Sequence, residues 1–206
     1  MGRRRLSEHP AALAARVAVP SALLGAGVVA AAALVVAAAW RPAVLWPLHG
    51  AGVALVLGVS AWCADEPLAP LVDVAPRATP WAVRLRTSGP VLLVAAWAAT
   101  HVARRSALPP HLALLIGEGA VAALLGHAWA SHRRALGEGA AGSLAAMTVV
   151  PVLLAVALVR PLADHVPVFP VWPWEPWGRA RLLWGALAMG GMALSLRTGR
   201  RRRRGR

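Results

Sequence analysis

The chain has 206 residues, is 58% hydrophobic with a mean hydropathy of +0.59, and carries a formal net charge of +14. That length fits one domain, and the gaps between its apolar runs are too short for a soluble catalytic module. All 22 basic residues are arginine, so a P-loop lysine is ruled out; Cys63 is the single cysteine, so neither an internal disulfide nor a CxxC redox pair exists; and no HExxH or GxSxG occurs.

Ala, Arg, Gly and Pro dominate, while Lys, Asn, Gln and Tyr are missing. A GC-rich genome explains this bias, so the choice of Arg over Lys is not a sign of phosphate recognition.

Before the first apolar run, Ser7 to Arg16 reads as a short interfacial helix, with Ser7 as N-cap and Glu8 at the positive helix end, or as an ordinary terminus. Six apolar stretches follow: Val17–Ala39, Leu48–Ala64, Pro90–Ala103, His111–Ala130, Ala141–Val159 and Arg181–Leu196. About 20 apolar residues at ~1.5 Å per residue match a ~30 Å hydrocarbon core. The expected fold is therefore all-α, a polytopic bundle of six transmembrane helices in a single membrane domain over residues 1–206, located in the cell membrane. The first stretch exceeds a typical signal h-region and reads as an uncleaved helix.

Arginine placement sets the orientation. With the N-terminus inside, cytoplasmic segments hold 16 arginines and outer segments 6. Positive charge resists translocation, which predicts both termini inside. The basic tail 197–206 follows a span directly, so it reads as a contact for anionic lipid rather than nucleic acid.

Between spans two and three, Asp65-Glu66-Pro67 opens a short cytoplasmic helix. Leu68, Leu71, Val72 and Ala75 give it one apolar face, Pro76 ends it, and a second helical start follows near Pro80. This element is either a membrane-hugging linker or a dock for a soluble partner. The outer segment Arg160–Arg181 interleaves five prolines with Phe169, Trp172, Trp174 and Trp177. It reads as a stiff interfacial cap or, alternatively, an aromatic ligand box.

Glu118 is the one carboxylate within a span. A charge at that depth is costly unless paired or hydrated, so it is either a locally paired structural group or a transport-path residue. His111, two turns away on the same face, is its candidate companion. His49, His101 and His111 all fall near the outer ends of spans. Two of them on facing helices could ligate a haem iron, but helix ends also suit polar residues and no spacing repeat supports haem. No cofactor and no metal site is implied.

The run Asp65-Glu-Pro-Leu-Ala-Pro-Leu-Val-Asp-Val-Ala-Pro-Arg77, with Arg84-Leu-Arg86, the six-span layout and the ending Ser195-Leu-Arg197, resembles the small membrane subunits of ABC-2-type transporters, of the short kind common in GC-rich bacteria. The resemblance implies a non-enzymatic permease subunit, an exporter, that pairs with a second permease half and is driven by a separate ATP-binding subunit. That subunit would dock on Asp65, Glu66, Leu68, Leu71, Asp73, Arg77, Arg84 and Arg86. A secondary or proton-coupled transporter using Glu118, and a non-transporting assembly protein, are the alternatives.

Overall fold

The computed structural model describes residues 27–28, 30–32, 34–35, 42–65, 79–106, 111–158, 168–169 and 177–204. Among these, every regular element is an α-helix and no strand occurs. The helices are α1 (Pro42–Trp62), α2 (Thr79–Ala103), α3 (Leu112–Ala135), α4 (Ala141–Leu158) and α5 (Trp177–Arg204). The described residues between 27 and 35 are helical as well. The interfacial helix expected at Ser7 to Arg16 and the loop helix expected over Leu68–Ala75 lie outside the described residues.

The contacts show an alternating bundle. α1 and α3 run parallel: His49 meets Glu118, and Leu57 faces Gly126. α3 and α5 are parallel too, with His111 on Trp177 at one end and His132 bonded to Thr198 at the other. α4 runs against α1, since Gly50 faces Ala157 and Gly58 faces Val150. α2 runs against α3, and the segment near residues 27–35 runs against α1, with Gly27 beside Val59 and Val35 beside Gly52. Each described helix thus reverses the direction of the one before it.

α1 and α3 form the centre. α3 buries Leu115, Glu118, Gly119, Ala122, Ala123, Gly126 and Ala130, a stripe at helical spacing. Small residues on this stripe let backbones meet. A Cβ at Gly126 would strike the Leu57 carbonyl of α1, and one at Gly142 would strike the Ala61 carbonyl. Such close approach is the usual means of packing helices in lipid, where dispersion replaces the hydrophobic effect.

The helix bounds correct several expectations. α1 begins at Pro42, six residues before the predicted span, because proline fits the first helical position. The predicted start near Pro80 and the span from Pro90 are one helix, Thr79–Ala103, with Pro90 inside it; membrane-type helices tolerate such a proline when neighbours satisfy the freed carbonyl. α3 runs to Ala135, its last turn holding His132, Arg133 and Arg134, which suit the negative helix end. The basic tail is helical through Arg204, since arginine is a good helix former.

Two helices, Leu112–Ala135 and Ala141–Leu158, are long and apolar enough to cross a membrane. The outward faces of the bundle carry large apolar side chains, among them Val91, Leu92, Met147, Val152, Leu182 and Met189, while His49, Ser60, His101 and Glu118 are buried.

Candidate functional site

Glu118 sits six residues into α3 and His49 seven residues into α1, each about 10 Å along its helix at ~1.5 Å per residue. Because the two helices run parallel at this offset, the side chains meet at one depth. His49 Nε2 lies 2.5 Å from Glu118 Oε2, and both side chains are buried. The contact is a hydrogen bond, with one proton between the imidazole nitrogen and the carboxyl oxygen. With that proton the pair is neutral overall. Gaining a second proton makes it cationic, and losing the first makes it anionic.

The neighbours hold the pair in place. Trp97 of α2 lies against Gly119, where a Cβ would come within 2.5 to 2.8 Å of ring atoms, and its Nε1 donates to the Leu115 carbonyl at 3.0 Å. One turn on, His101 donates Nδ1–H to the Trp97 carbonyl at 2.8 Å. Its ring stands 4.4 Å from the Trp97 ring and 5.9 Å, edge-on, from that of His49. Phe169, from the proline-rich segment, closes the group, 6.3 Å from His49 and 6.0 Å from Trp184. Trp184 anchors it by donating Nε1–H to the Val168 carbonyl at 2.8 Å. Val168 and Phe169, the described residues of the proline-rich segment, are thus buried at this end of the bundle.

Three buried polar atoms of this group have no hydrogen-bond partner among the described residues: His49 Nδ1, His101 Nε2 and Glu118 Oε1. Buried polar groups are nearly always paired, so these three atoms set the cluster apart from the apolar core around it. No group of three or more His, Cys, Asp or Glu side chains is arranged to hold a metal among the described residues.

No family model, no curated protein and no solved structure matches this chain.

The other residues singled out in the sequence fall elsewhere. His111 is the N-cap of α3, about two turns from Glu118 toward the helix end; its ring stacks on Trp177 at 4.2 Å, and Arg181 Nη2 donates to its Nδ1 at 3.2 Å. Asp65 is bonded within the bundle. Its carboxylate accepts from Gly142 N at 2.7 Å, from Ser143 N at 2.5 Å and from Ser143 Oγ at 2.7 Å. It caps α4 from the end of α1, because helix N-termini leave amides that a carboxylate satisfies, and its side chain is half-buried. Glu66, Leu68, Leu71, Asp73 and Arg77 lie outside the described residues; Arg84 and Arg86 fall within α2, where the backbone alone is described.

The opposite end of the bundle carries its own polar clamp. Arg133 pairs with Glu138 through two contacts of 2.7 and 2.6 Å, and Arg134 donates to the Ala64 carbonyl. These bonds tie the end of α3 to the chain just after α1 and to the turn that leads into α4.

Proposed function

We propose that this chain is a multi-pass membrane protein that couples transport to proton movement, with His49 and Glu118 as the proton-binding pair. The observation that carries this reading is the buried 2.5 Å contact between them in the bundle interior. Ionisable groups inside membrane-spanning bundles are expensive and mark proton relays and substrate paths. The alternating helix directions suit a chain that crosses repeatedly, and an exterior of large apolar side chains suits lipid as the solvent. With both termini inside, the pair lies nearer the outer surface. Below it, the Leu57–Gly126 contact brings the α1 and α3 backbones together.

The ATP-driven permease implied by the resemblance remains a proposal about other residues, most of them in the segment 66–78 outside the described residues. No feature of the bundle favours it.

The test is reconstitution into liposomes that contain a pH-sensitive dye, with a potassium gradient and valinomycin imposing a potential. The wild-type chain is expected to acidify the lumen and Glu118→Gln to leave it at the protein-free rate. Equal rates for wild-type and protein-free vesicles would contradict the reading.

A further inference from the structure

We propose that the C-terminal end of α5 is a docking surface for anionic lipid headgroups, made by a stripe of Arg197, Arg200, Arg201 and Arg204. The proposal rests on the membrane reading above and not on proton movement.

Helix length sets the depth. α5 runs for 28 residues, about 42 Å at ~1.5 Å per residue. Its first 20 residues, 177–196, cover about 30 Å, the thickness of a hydrocarbon core. No charged residue occurs from Leu182 to Leu196, and Leu182, Met189, Met192 and Leu196 are exposed. Arginine then fills six of the eight positions from Arg197 to Arg204, with the helix unbroken. The chain thus changes from uncharged to strongly cationic at the depth where phosphates begin.

The bundle fixes how this end is turned. Thr198 is buried and lies 3.2 Å, Oγ1 to Nδ1, from His132 near the end of α3. Arg197, Arg200, Arg201 and Arg204 recur at i, i+3, i+4 and i+7, so they share one side of the helix. The centre of that side is about 110° around the axis from Thr198, at 3.6 residues per turn. Arg197 and Arg200 are exposed. Arg202 and Arg203 fall outside the stripe.

Charge selects the occupant. α5 contains no Asp or Glu. The described acids at this end are Asp65, which caps α4, and Glu138, which pairs with Arg133. Like charges three and four positions apart repel along a helix, so the stripe is relieved by anions from outside the chain. Lipid phosphates lie at that depth, and guanidinium groups form charge-assisted hydrogen bonds to phosphate oxygens. Continuity with an apolar helix favours a lipid phosphate over a nucleic acid.

The test is fluorescence anisotropy of labelled phosphatidylglycerol and phosphatidylcholine titrated with the full chain in a neutral detergent. The wild-type chain should bind phosphatidylglycerol about 10-fold more tightly, and added salt should weaken that preference. Arg200→Gln with Arg204→Gln should reduce phosphatidylglycerol affinity by about 5-fold or more, following the gain per basic residue at an anionic surface. Arg202→Gln with Arg203→Gln removes the same charge and should reduce it by less than about 2-fold. Equal losses in the two pairs would overturn the stripe. Equal wild-type affinity for both lipids would overturn the lipid surface, while a continued need for detergent would keep the membrane reading. A wild-type chain that stays monodisperse without detergent would overturn the membrane reading itself. Displacement of the bound lipid by inorganic phosphate, or by an oligonucleotide at equal phosphate concentration, would assign the arginines to a soluble anion or to nucleic acid and overturn the proposal.

Discussion

His49 and Glu118 are separated by 69 residues, yet their side chains are hydrogen-bonded at 2.5 Å. Leu57 and Gly126 meet at that same separation two turns deeper, so the pair and the glycine contact are one register of two parallel helices. The acid–base chemistry of the site is therefore inseparable from how closely α1 and α3 approach.

Gly126→Ala should show this linkage. Its Cβ would meet the Leu57 backbone, which has no flexible end to move aside, so α1 and α3 must separate. A loss of about 1–3 kcal/mol is expected from such overpacking. Proton flux should fall with it. Gly117→Ala, one residue from Glu118 but facing open space, should leave thermal stability and flux near wild type.

Gly119→Ala tests the Trp97 lock. The added methyl would displace the indole, break its bond to the Leu115 carbonyl and loosen the ring on which His101 rests. Tryptophan fluorescence should shift and the melting temperature should drop, while Gly119→Ala combined with Trp97→Leu should recover part of the stability. No recovery in the double variant would mean that the glycine serves some other contact.

Asp65 separates a cap from a dock. Asp65→Ala removes three hydrogen bonds at the start of α4 and should cost about 0.5–2 kcal/mol, the range for helix N-caps. Asp65→Asn should retain part of that. Neither variant should change proton flux per folded molecule. Unaltered stability in Asp65→Ala would show that the carboxylate is not holding α4.

Orientation is open to direct measurement. From the arginine distribution, reporters fused after Arg206 and before Arg3 should report the cytoplasm, and one inserted near residue 165 should report the outside. Opposite locations for the two termini would end the six-span account.

Much of this architecture is legible in residue patterns, and what is not has physical causes. α4 matches its predicted run almost to the residue, because apolar periodicity is unbroken there and Gly137, with φ of +96°, gives a clear turn before it. α2 and α5 differ from expectation at their ends: proline and arginine usually signal boundaries, yet Pro90 is absorbed within a helix and the terminal arginines extend one. Glu118 stands out by depth alone. Its partner does not, because same-face reasoning on one helix points to His111, whereas pairing with His49 depends on the register between two helices. The common distance of His49 and Glu118 from their helix starts is the available signal. Phe169 beside His49 has no local signature, since an aromatic amid prolines looks the same at an interface and in a core.

The measurement closest to the central claim is infrared difference spectroscopy on the reconstituted protein as the bathing pH is stepped. Reversible proton exchange at the pair predicts a carboxyl signal that appears and disappears together with histidine ring bands, and that is missing in both Glu118→Gln and His49→Gln. A wild-type difference spectrum identical to that of Glu118→Gln in the carboxyl region would show that the buried pair never exchanges its proton, and would reduce it to a structural tie between α1 and α3.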